Sequence, residues 1–443
     1  MKSFIDKFNK RSTILVISDY PEEGPEGKNY GIAWHTKTLI EPQAAKGKKF
    51  VVFAERAKHN KPYVTADGNV LVMRIFDQRH PTLFPRIIKW LLKFSHVKHV
   101  HVHSEFCANG GVKNMVMLPL FLALIKLTGK QITFFIHNVV VDLSNIAPHL
   151  NLTPDSLLFK AFNHGLPLYY RLLGLTSSRM VVMDKVIYER LSQLVPKDKI
   201  ITAPFEVQTS RGGVTKRDAR RKLKIAQKRF VLLYFGFVTY YKGADWLVKA
   251  VSQIQKENSI KNIELIVAGG PSYSLKDKRY YQRYYRNLVN FTKKLTNVRI
   301  TGFVPDDQIA TYFKASDLVV YPYRDLIGAS GALTFALQHN KPFLLSDKMS
   351  GIILGFEGID RLFEKHNLIM SDVTFSHTNG SFAKVLKGAK HSPTLNALTL
   401  FCKGLAKKRA KGQNNDISYD LLFDVEPAKI HTATDLHVAV QRT

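Results

Sequence analysis

Cysteine is scarce in this 443-residue chain, which contains only Cys107 and Cys402. The two residues lie in distant parts of the sequence and show no paired spacing, which argues against a disulfide framework and against a structural zinc site. So few cysteines fit a protein of a reducing compartment, and we expect a cytoplasmic location.

Long hydrophobic runs are also missing. The longest apolar window, at residues 116–127, is far shorter than the roughly 20 residues that span a bilayer. The run TILVIS at residues 13–18 is likewise too short for the hydrophobic part of a signal peptide. We therefore expect a buried helix and a buried strand at these positions, and no membrane anchor.

Acidic residues are few relative to basic ones: 35 Asp and Glu stand against 65 Lys and Arg, which gives a formal net charge of +30. A protein this basic attracts polyanions such as nucleic acid, an anionic membrane surface or phosphorylated substrates. The 45% hydrophobic content is nevertheless that of a folded protein, with enough apolar material for two cores.

The sequence does contain a regular alternation of apolar, β-rich runs with helix-length segments. The runs lie at 13–18, 49–55, 70–76, 99–104, 132–137 and 179–184, and again at 230–236, 263–270, 298–304, 318–323 and 342–347. This alternation predicts an α/β protein with parallel sheets. We divide the chain into amino-terminal and carboxyl-terminal α/β domains over residues 1–207 and 208–400. Residues 401–443 are interpreted as a basic linker and a terminal segment that could pack back on the first domain.

Small and polar residues follow the strands of the second domain. No G-x-G-x-x-G dinucleotide fingerprint follows the first strand of the chain. Instead, Gly236 precedes Lys242-Gly243, the pair Gly269-Gly270 ends another strand, and Ser330-Gly331 opens an apolar helix. Ligands of open parallel sheets bind beyond the carboxyl ends of the strands, and a helix amino terminus attracts phosphate. A tight strand-to-helix turn without a ligand is the alternative at residues 328–331.

These motifs, together with ITGFVPDDQIATYFKASDLVVYPY and SGALTFALQHNKP, resemble the carboxyl-terminal domain of the family 4 glycosyltransferases. The resemblance implies the GT-B fold, in which two Rossmann-like α/β domains face a central cleft. It also implies retaining transfer of a sugar from a nucleotide diphosphate sugar. The implied donor-binding residues are Gly236, Lys242, Gly269, Gly270, Phe303, Val304, Ser330, Gly331, Ala332 and Leu333. Lys242 would also act in catalysis, by stabilising the departing diphosphate.

The first domain resembles the acceptor domain of that family more weakly. Gly31 and His35 would line the cleft, although His35 could equally lie on a helix surface. His137 and Asn138 end the apolar strand ITFFIH, where the family has a catalytic histidine facing the donor sugar; a buried core histidine is the alternative.

Two further histidines lie on one of the predicted strands. His101 and His103 alternate there, but the sequence indicates no third metal ligand near them. We therefore expect no metal and no cofactor other than the donor.

Three positions depart from the family pattern. Phe237 stands where typical members have arginine, and Ile327 and Phe335 stand at the positions of two glutamates that contact the donor. These departures leave open a catalytically silent binding protein. A sugar-nucleotide epimerase on the same plan is a further alternative, but it needs an acid and base pair that the sequence does not single out.

Two basic, aromatic segments bear on the partners of the protein. Residues 276–294 could stack nucleic-acid bases, yet no nucleic-acid motif accompanies them, and nucleic acid is the less favoured partner. Residues 76–103 predict docking on an anionic membrane to reach a lipid-linked or polysaccharide-precursor glycan. The side chains concerned are Phe84, Arg86, Lys89, Trp90, Leu91, Lys93, Phe94 and Lys98. An amphipathic helix with its apolar face in the core is the alternative.

Overall fold

Two β-sheets organise the computed structural model of the chain. It describes residues 1–22, 31–65, 68–78, 80–106, 112–150, 152–204, 214–257, 259–273, 275–356, 358–413 and 422–423. Cys107 lies outside these residues, and so does the domain boundary that the sequence predicts near residue 207. Cys402 is buried and forms no disulfide.

The amino-terminal sheet has the strand order β3-β4-β2-β1-β5-β6-β7-β8, and every pairing in it is parallel except that of β3 with β4. Its strands are β1 Ile14–Ile17, β2 Phe50–Glu55, β3 Tyr63–Val64, β4 Val70–Phe76, β5 His99–Ser104, β6 Gln131–Ile136, β7 Arg179–Val182 and β8 Ile200–Thr202. Its helices are α1 Lys2–Phe8, α2 Ile32–Ala45, α3 Leu83–Leu91, α4 Val112–Leu127, α5 Ala147–Leu150, α6 Leu157–Thr176 and α7 Lys185–Ser192. Both faces of the sheet are buried: Ile14 and Val16 of β1 pack into one core, and Leu15 and Ile17 pack into the other.

The carboxyl-terminal sheet is wholly parallel, with the order β11-β10-β9-β12-β13-β14. Its strands are β9 Phe230–Phe235, β10 Ile263–Ala268, β11 Val298–Ile300, β12 Leu318–Tyr321, β13 Phe343–Ser346 and β14 Thr374–Phe375. Its helices are α8 Lys216–Lys222, α9 Ala244–Lys256, α10 Arg279–Thr292, α11 Asp306–Ala315, α12 Gly331–Gln338, α13 Ser350–Leu354, α14 Ile359–Lys365, α15 Met370–Val373, α16 Asn379–Lys390 and α17 Ser392–Gln413. The predicted α/β class with parallel sheets is confirmed.

The carboxyl-terminal part of the chain differs from the expected linker. Residues 401–413 continue α17, and Phe401, Cys402 and Leu405 of this stretch are buried in the core of the second domain. Farther on, Leu422 and Phe423 pack against the amino-terminal sheet, where the Phe423 ring lies 5.7 Å from that of Phe50. The chain therefore returns to its first domain after completing the second.

Helix α4 is less buried than its apolar sequence predicts. Leu118, Leu122 and Ile125 face the core, but Leu120 and Leu124 are exposed, 53% and 44% respectively. Among the residues described, none of the helices is both long and apolar enough to cross a bilayer.

The segment 76–103 also differs from expectation. Leu91 and Phe94 are fully buried, and the Phe84 ring stacks on that of Phe121 at 4.5 Å. Helix α3 is therefore an amphipathic helix with its apolar side chains in the core, as the alternative interpretation of this segment predicts.

Candidate active site

Each sheet has a point where the strand order reverses, and the site lies at these points. In the second sheet the reversal falls between β9 and β12, and in the first between β1 and β5. Neighbouring connections leave such a point in opposite directions, which opens a crevice at the carboxyl ends of the strands. The residues after these strands therefore face the crevice.

A turn after β12 presents the amino terminus of α12. Ser330 caps this helix, since its hydroxyl accepts a hydrogen bond from the Leu333 amide at 3.3 Å. A side chain added at Gly331 would meet no atom within 4 Å, so there is open space in front of the turn. The free amides and positive dipole of the first helical turn make this space suited to an anion. The side chain of Leu333 itself is buried in the core.

Lys242 lies beside this turn. A Cβ built on Gly236 would be 3.6 Å from Lys242 Nζ and 3.7 Å from Ala332 Cβ, so these three residues converge. Lys242 Nζ lies 5.7 Å from the centroid of the Tyr323 ring, whose hydroxyl is 3.2 Å from the Ser330 hydroxyl. Burial opposes the charge on Lys242, but neighbouring tyrosines and Glu105 outweigh it and raise the pKa of the ammonium group. A cation is thus held next to a helix amino terminus.

An ion pair fixes the loop that carries Lys242. Arg324 binds both carboxylate oxygens of Asp245, at 2.9 and 2.7 Å, and donates to the Tyr240 carbonyl at 2.5 Å. Burial disfavours the Asp245 carboxylate, but the hydrogen bonds from Arg324 outweigh this and lower the pKa of Asp245. A bidentate pair of this kind is geometrically specific, so it holds the residues before α9 against the end of β12.

The two glycines after β10 are required by close backbone contacts. A Cβ on Gly269 would lie 1.8 Å from the Gly236 carbonyl oxygen, and one on Gly270 would lie 2.8 Å from the Phe303 amide nitrogen. Phe303 is 42% exposed, whereas the Val304 side chain is buried. The rings of Phe303 and Phe237 lie 6.4 and 5.8 Å from that of Tyr273. An aromatic surface therefore flanks the crevice.

Three histidines of the first domain meet across the cleft end of the sheet: His35 from α2, His103 from β5, and His137 directly after β6. Nδ1 of His103 lies 3.3 Å from Nε2 of His137, and the His35 ring packs edge-on to that of His137 with centroids 5.1 Å apart. All three side chains are buried. Burial lowers the pKa of His35 to about 4 and, with neighbouring histidines, lowers the pKa values of His103 and His137 well below 6.5. The rings are therefore neutral near pH 7.

The sequence analysis did not predict this cluster or the position of Glu105. It paired His103 with His101, but His101 packs against Phe135 and Phe423 instead. Glu105, which acts electrostatically on Lys242, directly follows β5 and could have been found by the rule applied to the other strand ends. Gly31, predicted at the cleft, precedes α2 with a φ of 49°.

The two domains meet at the predicted site. Asn138 forms an isolated antiparallel bridge with Gly328, and the Val139 amide donates to the Ile327 carbonyl at 2.9 Å. The Ile327 side chain is buried in the core of the first domain. The centroid of the Phe335 ring lies 5.2 Å from that of Phe235 and 6.2 Å from that of Trp34. Ile327 and Phe335, where the resemblance had implied glutamates, are thus packing residues.

A pocket in the first domain opens beside the histidines. It is lined mainly by apolar side chains, and its lining includes Ile17, Asp19, Phe76, Gln78, Phe84 and His103. The predicted acceptor side of the cleft therefore offers a largely apolar surface.

Comparisons with known proteins agree with this geometry. Residues 229–365 match the family described as glycosyl transferases group 1. The structure aligns with that of HepE from Anabaena, determined in complex with UDP and glucose, at a TM-score of 0.60 and 14% identity, over 93% of this chain and 99% of that one. The fold is GT-B.

Two curated relatives match shorter stretches. An uncharacterized glycosyltransferase of Methanocaldococcus jannaschii is 25% identical over 154 residues, which is 33% of this chain and 36% of that protein. The lipopolysaccharide 1,2-N-acetylglucosaminetransferase of Salmonella typhimurium is 32% identical over 104 residues, 23% of this chain and 26% of that protein. The chain thus spans well under half the length of these relatives.

Replacement by alanine should destabilise the protein at one glycine of this GT-B site and have little effect at another. Gly243 has a φ of 71°, and a Cβ there would lie 1.9 Å from the Pro322 carbonyl oxygen. We expect Gly243→Ala to lower the free energy of unfolding of the second domain by at least about 2 kcal/mol. The methyl group of Gly331→Ala would lie in open space, so this variant should change the free energy of unfolding by less than about 0.5 kcal/mol. Urea denaturation measures both, and equal stabilities would contradict the described loop.

Proposed function

We propose that this protein transfers a sugar from a nucleotide diphosphate sugar to an acceptor, with retention. The observation that carries the proposal is the convergence of Gly236, Lys242 and the α12 amino terminus at the point where the second sheet reverses. The match of residues 229–365 to group 1 glycosyl transferases and the UDP and glucose bound by HepE support it. The name of the Salmonella relative supports a glycan acceptor.

The leaving diphosphate would be stabilised by charge and by oriented dipoles. Lys242 supplies a cation, and the amides around Gly331 supply hydrogen-bond donors that need little rearrangement when charge develops. Phe303 and the backbone beside it would contact the base. No side-chain base is assigned, since retention assisted by the donor phosphate does not call for one.

His137 would contact the sugar. A Cβ on Gly328 would lie 2.4 Å from the His137 carbonyl oxygen. The backbone of His137 therefore lies beside the loop that leads to residues 330–333, the proposed phosphate turn. Its neutral ring can donate or accept one hydrogen bond to a sugar hydroxyl. Ile327 and Phe335 remove the usual carboxylate contacts, which leaves recognition of the donor to the phosphate turn, the aromatic surface and His137.

The acceptor is proposed to be lipid-linked and to be reached at an anionic membrane. Helices α4 and α6 pack together and expose ten large apolar side chains: Val116, Met117, Leu120, Leu124, Leu127, Leu157, Leu158, Leu168, Leu172 and Leu175. Neither helix contains Asp or Glu, whereas Lys113, Lys126, Lys160 and Arg171 are exposed on them. An apolar surface with only positive charges complements an anionic leaflet.

Lys242→Ala tests the donor site. Loss of a charge-assisted contact to the diphosphate should cost about 1.5 to 3 kcal/mol and weaken binding of the preferred nucleotide sugar at least about tenfold. Calorimetric titration with a panel that includes UDP-glucose measures this. Lys249→Ala, an exposed lysine on α9, is the matched control and should bind normally. Unchanged affinity in the Lys242 variant would refute the assignment.

His137→Ala tests the sugar contact. It should lower kcat at least about tenfold while leaving nucleotide affinity within about threefold, because the proposed contact is to the sugar and not to the phosphates. Steady-state kinetics with the donor found above separate the two effects. Normal turnover would identify His137 as a core histidine. Donor binding without any turnover in the unaltered protein would favour the catalytically silent binding protein.

Sedimentation with liposomes tests the membrane surface. Binding should rise with the anionic lipid fraction and fall with added salt. The double variant Leu124→Glu with Leu172→Glu should bind at least about tenfold more weakly, since it removes apolar area and adds repelling charge. Leu400→Glu, at a leucine of the second domain that is 50% exposed, should bind as the unaltered protein does. Equally weakened liposome binding in both variants would show that α4 and α6 do not form the membrane-binding surface.

A further inference from the structure

The histidine cluster has a geometry that the proposed sugar contact does not require. One ring nitrogen of each of His35, His103 and His137 lies within 4.8 Å of those of the other two, and all three residues are buried. They come from a helix, a strand and the residue after another strand, so the fold, and not local sequence, brings them together. His137 alone would suffice to contact a sugar.

The spacing within the cluster suits a metal ion. Zinc binds imidazole nitrogen at about 2.0 to 2.1 Å, so two nitrogens of a tetrahedral site are about 3.3 to 3.4 Å apart. The separation of Nδ1 of His103 from Nε2 of His137 is 3.3 Å. Among the residues that the structure describes, the second ring nitrogen of His103, Nε2, which lies outside that pair, has no hydrogen-bond partner. Buried imidazoles whose hydrogen-bonding capacity is not filled are unusual.

We propose that His35, His103 and His137 form a binding site for a transition-metal ion of the zinc class. A neutral imidazole ring carries one nitrogen lone pair that can bind a metal. Three imidazole ligands leave the fourth tetrahedral position for water or for an oxygen of a substrate. Closing the site needs only that the ring nitrogens approach one another from separations of at most 4.8 Å.

The metal site also has a consequence for transfer, which rests on the proposed function. A metal ion bound by His137 occupies the ring nitrogen that would otherwise meet the sugar. Zinc should therefore inhibit transfer, and a chelator should restore it.

Cobalt substitution tests the site without any assay of transfer. Untagged protein freed of metal with a chelator is titrated with Co²⁺, and the visible d–d absorption typical of tetrahedral cobalt is recorded. We expect one equivalent to bind and zinc to displace it. His103→Gln and, separately, His35→Gln should each weaken Co²⁺ binding by at least about tenfold, the lower end of what loss of even a supporting group costs.

His101→Gln is the matched control, because His101 is equally buried and lies two residues before His103 on the same strand. It should bind cobalt as the unaltered protein does. Circular dichroism and thermal melting establish folding, and if one variant fails to fold, the other decides the result. An absent tetrahedral spectrum in the unaltered protein, or retained binding in folded His35→Gln or His103→Gln, overturns the metal site. Cobalt binding that leaves transfer unaffected supports the metal site and refutes the placement of His137 at the sugar.

Discussion

The site depends on one contact between the domains, the backbone bridge of Asn138 with Gly328. The strand end that carries His137 and the loop that leads to the phosphate turn are held side by side there. Ile327 buries its side chain in the core of the first domain, and Arg190 donates to the carbonyls of Leu326 and Val139 across the same junction. A rigid junction of this kind places a histidine of one domain next to the anion site of the other.

That junction explains why an apolar residue suits position 327. A glutamate at position 327 would bring a carboxylate into an apolar core, which costs several kcal/mol unless the charge is paired. Isoleucine there adds apolar contact between the domains. Phe335 likewise packs against the rings of Phe235 and Trp34, which come from different domains. Both side chains therefore help to attach one domain to the other.

The sequence analysis predicted the features that depend on patterns within short stretches of the chain. All eleven predicted strands are present, because a buried parallel strand is a continuous apolar run, whereas β3, β8 and β14, with two or three residues each, escaped notice. Gly236, Lys242 and Ser330 could be found because they follow strands. The pairing of Arg324 with Asp245 and the meeting of His35 with His103 could not, since both join residues that are distant in the chain. The exposed face of α4 was also missed, because composition alone does not tell a helix buried all round from one with a bare apolar face.

Lys242 shows how the fold prepares this site before any ligand binds. Burying an unpaired ammonium group is costly, and such a lysine would lose its proton. Here the field of Glu105 from the first domain and the hydroxyl of Tyr323 keep it charged. Burial raises the pKa of Glu105 while Lys242 lowers it, so each residue maintains the charge of the other across the cleft. In the proposed function, an incoming diphosphate would take over the role of Glu105 as the counter-charge, and it would meet a cation that the Arg324 and Asp245 pair already holds in place. Little reorganisation would then remain for the chemical step, which is the physical basis of stabilising a leaving group by preorganised charge.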